Sequence, residues 1–551
     1  MPTHRNGDYC MLINTNSSPS SFLFYSTNNL IQQCKTTNQL YQLHAHAIAY
    51  GLLSLPSSSQ FLTKLLYTVT TLIPKPTETA IQSSSSLLRY VVSIFNSIIK
   101  PSTFCYNVSI RAHILLSSPL AALRFFAQMR RLSVRLDSHS FPFALKACAQ
   151  VRVLSLAKSL HCQVLRFGFS SDLFVVNSLI HVYCRGDSLK GACQVFDESS
   201  VRDVVSYCSL VDGFVKVGDV VKARELFDMM PFRDAVSWGT LIAGYAQRNH
   251  CKEAIELFNV MMDSEIRPCN VALVSALSAC AQLGELEKGK RIHDYIQKNA
   301  IQVDSFLSTG LVDLYAKCGC IDKAIKVFEM SHDKTLCTWN AMLVGLAMHG
   351  DGRLLLRYFS RMVVSGIKPD GISILGVLAG CSHGGLVNEA RKLFGEMESV
   401  YGVPRELKHY GCMADLLSRA GLIEEAMEMI KKMPMNADIF VWSSLLGGCR
   451  IHRNVEVAEK AAKHVMELKP EDGGVYSIMA DIYANAERWE EVVNVRKSMS
   501  GNEGVIKNSA WSSIQLDGVM HEFVSGDRLH PRAEDMYLVL NGIKEHQFEL
   551  H

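Results

Sequence analysis

Laid side by side, residues 336–370 (LCTWNAMLVGLAMHGDGRLLLRYFSRMVVSGIKPD) and 235–269 (AVSWGTLIAGYAQRNHCKEAIELFNVMMDSEIRPC) match position for position without a gap. Trp339 answers Trp238, Gly345 answers Gly244, Phe359 answers Phe258 and Pro369 answers Pro268. A chain that repeats itself every 31 to 36 residues is confined to few architectures. Each repeat is a supersecondary element too small to bury its own apolar face, so it is stabilised by stacking on its neighbours.

Within 336–370, Trp339, Met342, Leu343 and Leu346 fall at i, i+3, i+4 and i+7, and Leu355, Tyr358, Phe359 and Met362 repeat that spacing. The pattern predicts two amphipathic helices. Between them His349-Gly350-Asp351-Gly352 supplies glycines for a sharp turn, and Gly366 with Pro369 ends the second helix. The same ruler marks ten consecutive repeats at 103–137, 138–172, 173–203, 204–234, 235–269, 270–304, 305–335, 336–370, 371–406 and 407–438. Three types alternate, and signature strings recur by type. LKACAQVRVLSLAKSLH (145–161) returns as LSACAQLGELEKGKRIH (277–293), and LVDGFVKVGDVVKARELFDMMP (210–231) as LVDLYAKCGCIDKAIKVFEM (311–330).

A composition of 48% apolar and 20% charged residues suits a core-forming chain and excludes a disordered or collagen-like one. The net charge of +3 excludes the strongly basic footprint of a non-specific duplex binder, so any nucleic-acid contact is local. The 17 cysteines lie scattered through apolar stripes with no C-x-x-C spacing, which points to reduced, buried thiols. Cys318-Gly-Cys320 reads as two small apolar fillers at a helix end. No apolar run reaches the ~18 residues of a membrane-spanning helix, so no membrane partner is expected. The first 77 residues hold one acid, Asp8, against Arg5, Lys35, Lys64 and Lys75, with many Ser and Thr. This composition predicts an organelle transit peptide over 1–35, and a frayed N-terminus explains it too; the few arginines leave mitochondrion and chloroplast both open.

Near the end of the chain the period changes. Ile514 and Leu516, then Val519, His521 and Phe523, alternate around Asp517-Gly518, which predicts a small β-hairpin.

From about 103 to 551 these residues resemble the plant pentatricopeptide repeat family, in its class with alternating P, L and S motifs. LKHYGCMADLLSRAGLIEEAMEMIKKMPMNADIFVWSSLLGGC (407–449) looks like the last S motif entering the E motifs, and VYSIMADIYANAERWEEVVNVRKSM (475–499) like the second E motif. AWSSIQLDGVMHEFVSGDRLHPRAEDMY (510–537) is similar to the E+ segment. The resemblance implies an all-α, right-handed superhelical solenoid of helix-turn-helix repeats with a small β-hairpin in its C-terminal extension. It also implies a domain plan: degraded L and S repeats with a Ser-rich insertion over 36–102, ten repeats over 103–438, E motifs over 439–508, and an E+-like segment over 509–551.

Stacked hairpins place the same position of every first helix along one surface, so one side chain per repeat meets one base of an extended strand. In the family the selector is the fifth residue of a repeat paired with its last, and the second residue wedges between bases. The resemblance therefore implies selector pairs Asn107 with Asp137, Asn177 with Asp203 and Asn340 with Asp370, all preferring uridine. Thr309 with Thr335 leans toward a purine, although Asp or Asn is usual in the last place. Cys208 with Asp234 and Gly239 with Cys269 depart from the pattern. Phe104, Phe174, Val205, Val236, Phe306 and Cys337 are the wedge candidates. Each asparagine has an alternative role, serving the turn near its helix start, and each wedge candidate another, packing between repeats. Read with the N-terminal repeats toward the 5′ side, the footprint is U-n-U-n-n-n-purine-U-n-n, a few nucleotides before an edited cytidine.

Cytidine deamination needs a zinc-bound water held by H-x-E and C-x-x-C ligands, and neither motif occurs in the sequence. The chain is therefore expected to be no enzyme and to need no cofactor, with a DYW-type deaminase recruited in trans through 439–551. Gly284-Glu-Leu-Glu-Lys-Gly289-Lys290-Arg291 nearly spells a phosphate-binding loop, but Arg291 replaces the magnesium-binding hydroxyl and no strand precedes it. His44 and His46 have no third ligand nearby and read as a helix surface rather than a metal site.

Overall fold

A computed structural model describes residues 30–54, 58–73, 81–501, 511–516, 519–524 and 528–549. Most of the transit-peptide stretch and the Asp517-Gly518 turn lie outside them. Helices dominate, and two compact bodies divide the chain: residues 1–248 with 263–267, and residues 249–262 with 268–551.

In the first body, helices Thr37–Ala49, Ser58–Thr71 and Ile81–Asn96 bury Leu40, Phe61, Leu65, Val91, Ile94 and Phe95 against Tyr106 of the first full repeat. The first helices of the following repeats, Thr103–Leu115, Ser140–Val151, Leu173–Arg185, Val204–Val217 and Ala235–Gln247, pack each on the next. In the second body the row comprises Asn270–Leu283, Ser305–Lys317, Leu336–Met348, Gly371–Gly384, Leu407–Arg419, Ile439–His452 and Gly473–Asn485. Within each body second helices lie against their own first helices, as Gly352–Val364 lies against Leu336–Met348.

The two layers are buried to different degrees. Gly352–Val364 buries one stripe (Leu355, Tyr358, Phe359, Met362), as an amphipathic helix does. Leu336–Met348 buries Thr338, Trp339, Asn340, Met342, Leu343, Gly345, Leu346 and Ala347, most of its circumference. The expectation of two amphipathic helices is thus corrected for the first layer, where neighbours cover both flanks. Close stacking explains one glycine of the repeat: a Cβ on Gly345 would stand 2.6 Å from Ala316 Cβ, and one on Gly244 would stand 2.5 Å from Val215 Cγ2. Of the turn glycines in 349–352 only Gly350 is left-handed, with φ of 76°; Gly352 already belongs to the next helix.

An aromatic and a cation join successive repeats. Phe227 meets Trp238 edge-on at 4.8 Å, and Phe328 meets Trp339 in the same way at 4.7 Å. Arg233 and Lys334 lie over the Phe227 and Phe328 rings, as Arg202 lies over Phe196 and Arg405 over Phe394. The arginines also donate to carbonyls at the end of the second helix: Arg202 to Phe196 O and Asp197 O, and Arg405 to Phe394 O and Gly395 O. Cations there complete orphan acceptors and oppose the helix dipole. Since each precedes the last residue of its repeat, it holds that residue in place.

The signature histidines have partners too. His161 bonds Tyr183 at 2.9 Å and His293 bonds Tyr315 at 2.7 Å, across successive repeats. His44 likewise bonds Tyr90 at 3.0 Å, so it serves packing and is no bare helix surface.

At the C-terminus, β1 (Trp511–Leu516) and β2 (Val519–Val524) pair antiparallel, with Ile514 opposite His521 and Leu516 opposite Val519. The predicted hairpin is present. Helix Ala533–Glu549 follows. No helix among the described residues is long and apolar enough to cross a membrane.

Candidate nucleic-acid interface

The last residue of a repeat stands just before the next first helix, whose leading N–H groups lack acceptors. Asp203 and Asp370 cap those helices, each carboxylate accepting from the backbone N–H of the third residue beyond it, Ser206 at 2.9 Å and Ser373 at 2.8 Å. Asp137 accepts from the N–H groups of His139 and Ser140.

Onto the same carboxylate oxygens reaches an asparagine from the first helix of the same repeat. Asn107 Nδ2 donates to Asp137 Oδ1 at 2.9 Å, Asn177 Nδ2 to Asp203 Oδ1 at 3.1 Å, and Asn340 Nδ2 to Asp370 Oδ1 at 3.1 Å. All three implied pairs are therefore in direct contact. The turn-serving alternative falls to the aspartates, because each asparagine sits a full turn into its own helix and bonds to the last residue of its repeat, the cap of the next helix. Burial pushes the three aspartate carboxyls up, but hydrogen bonds from the following Ser, the asparagine and backbone N–H groups outweigh it and hold them below the usual carboxylate range. Asn107 and Asn340 are only 5% and 8% exposed, so these pairs are largely enclosed.

The remaining repeats differ. Thr309 and Thr335 do not touch; Thr338 Oγ1 lies between them, at 2.9 Å from the first and 3.1 Å from the second. Cys208 carries a thiol pushed up to about 11 by burial and then by the charge of Asp234. Asp234 still caps its helix, accepting from Val236 N and Ser237 N. Asn270, the first residue of its repeat, donates to Asp304 Oδ2 at 3.0 Å, where the fifth residue, Val274, has no polar group to do so.

Every wedge candidate is exposed: Phe306 by 72%, Phe174 by 69% and Phe104 by 48%, with Val205, Val236 and Cys337 in the same class. Packing between repeats would have buried them. Phe104 alone among the three phenylalanines has a ring neighbour, Tyr67 at 5.8 Å. Val271, Ile372 and Phe440 hold the same second place and are also exposed. Sequence reading passed over them, although their position in the repeat was signal enough. It also passed over Ser206, Ser373 and Thr338, and over the cations that seat the last residues.

Cations on the first helices are partly matched by acids one turn away: Lys216 by Asp212, Lys317 by Asp313 at 2.8 Å, and Arg419 by Asp415 at 2.8 Å. His181 is held below its ordinary value by burial, then by Arg185, Lys216 and Lys146, with the charge of Asp212 opposing them. Elsewhere, 284–291 is a left-handed Gly284 followed by helix Leu286–Lys298, with Lys288 paired to Glu285 and Lys290 to Glu287, so its lysines are already engaged. Cys318 and Cys320 flank a helix–helix turn as free thiols.

Comparison with known proteins gives a consistent result. The family model for the PPR repeat matches residues 174–204, 205–234, 236–266, 307–334, 337–367, 376–400 and 408–436, and that for the E motif matches 452–515. A pentatricopeptide repeat-containing protein of Arabidopsis thaliana is 56% identical over 500 residues, covering 89% of this chain and 99% of its own. A second from the same plant is 41% identical over 510 residues, covering 93% of this chain and 80% of its own. Among solved structures, the pentatricopeptide repeat protein PPR10 from maize aligns over 90% of this chain and 87% of its own, with 16% identity and a TM-score of 0.47.

Proposed function

The chain belongs to the pentatricopeptide repeat family of plants, and from that premise we infer that it is a sequence-specific single-stranded RNA-binding protein that selects a site for C-to-U editing of organelle transcripts. One observation carries the RNA reading. In three repeats the amide of the fifth residue meets the carboxylate of the last, at the edge of the next repeat, and the apolar second residues are exposed. Amide edges offer a base both a donor and an acceptor, and exposed apolar side chains stack on or between bases of any sequence.

The editing role rests on the E motif at 452–515 and on the E+-like segment beyond it. In this reading the array chooses the site and 439–551 recruits a separate DYW-type deaminase in the mitochondrion or the chloroplast. An RNA-stabilising, splicing or translation factor needs no such tail, and a protein-binding scaffold needs no amide–carboxylate pairs.

The test is two-fold. Purified protein is offered single strands carrying the footprint above; micromolar or tighter binding, with Asn340→Thr moving one nucleotide's preference from uridine to guanosine, supports base reading. Organelle transcripts are then sequenced from a plant lacking the protein. Loss of editing at one or a few cytidines supports the editing role, while intact editing with missing transcripts or unspliced introns overturns it.

A further inference from the structure

We propose that the third residue of the following repeat, Ser206 or Ser373, is a positioning residue for the base-selecting asparagine before it, so that each selector is a set of three drawn from both sides of a repeat boundary. The inference rests on the base-reading function proposed above.

Ser373 is fully buried. Its Oγ accepts from Asp370 N at 3.2 Å, and lies 2.5 Å from Asn340 Oδ1 and 2.9 Å from Asp370 Oδ1. Ser206 repeats this arrangement: 3.2 Å from Asp203 N, 2.6 Å from Asn177 Oδ1 and 2.9 Å from Asp203 Oδ1. A hydroxyl has one proton to give, and in both repeats the nearer acceptor is the amide oxygen. The carboxylate only accepts, so it turns the NH2 of the asparagine toward itself; the serine proton then holds the oxygen. With both ends tied, the amide plane is set, and its one remaining N–H and one remaining lone pair point in fixed directions.

That matters for telling uracil from cytosine. The pairing edge of uracil has a central N–H donor between two acceptors, whereas cytosine has a central acceptor beside an amino group. A fixed amide that suits one must swing to suit the other, and the serine opposes the swing.

Two other boundaries show the same place at work. At 103–137 the hydroxyl of Ser140 lies 2.8 Å from Asp137 Oδ1 instead, and Asn107 Oδ1 is buried with no hydrogen-bond partner. There the amide is tied at one end. At 305–335, Thr338 bridges Thr309 and Thr335, which otherwise do not meet.

The test measures, for the full chain, the ratio of affinities for single strands that differ by U or C at one nucleotide, scanned across the footprint. Ser373→Ala is expected to lower the U-to-C ratio about fivefold at one nucleotide and nowhere else, and Ser206→Ala at a different nucleotide. Ser373→Thr keeps the ratio, since threonine occupies this place at 338. Alanine variants that weaken all strands equally, or leave every ratio unchanged, overturn the proposal. A wild-type chain that binds no single strand, or binds with no uridine preference at any nucleotide, overturns the base-reading function itself and the positioning role with it.

Discussion

The boundary after 336–370 and the boundary after 204–234 share a helix cap and differ in what surrounds it. Both set an aspartate, Asp370 or Asp234, as cap of the next helix. At the first, Asn340 reaches that aspartate and Ser373 reaches Asn340. At the second, Cys208 takes the place of the asparagine, and the hydroxyl of Ser237 turns to the backbone oxygen of Asp234 at 2.8 Å. The aspartate is thus kept for capping whether or not a base is read. A last-place Asp alone is therefore no sign of the three-residue arrangement; the amide and the hydroxyl complete it.

The comparison breaks most visibly when the two side chains are exchanged. Asn340→Cys should lose about 2 kcal/mol of discrimination, roughly thirtyfold, at one nucleotide in competition binding. Cys208→Asn should gain less at another, because Ser237 is committed elsewhere. An equal gain would show that the hydroxyl is irrelevant. A smaller effect separates capping from reading: Asp370→Ala and Asp234→Ala should each lower stability by about 1 kcal/mol in denaturant melts, while only the first changes base preference. The smallest effect is on acid stability. The Asp370 carboxyl is held low in the folded chain, so its contribution is present above the unfolded value of about 3.9 and is lost as pH falls through the folded one. Asn340→Ala removes part of that hold, and its melting temperature should fall less steeply below pH 4 than that of the wild type; parallel curves would mean that the amide contributes nothing to the carboxylate.

Much of the fold was legible because apolar spacing is a local property. The stripes Trp339 to Leu346 and Leu355 to Met362 marked both helices of their repeat, and the alternation around 514–523 marked the hairpin. The selector pairs were legible only through the family pattern, since nothing in the spacing of Asn340 and Asp370 says that they touch. Ser373 was not legible at all. A serine at the third place of a helix is ordinary capping chemistry, and its second partner lies 33 residues away. The exposed second residues were ambiguous for a related reason: an apolar side chain on a helix with two packed flanks reads as core until the neighbours are placed.

By itself, then, the sequence determined the repeat, its two helices, the turn positions and the family, because each follows from periodicity within one or two repeats. Only the tertiary structure decided which polar groups meet. One hydroxyl proton goes to an amide oxygen at 373 and to a carboxylate at 140, a difference set by how two neighbouring repeats are stacked and not by the identity of the serine, which is the same in both.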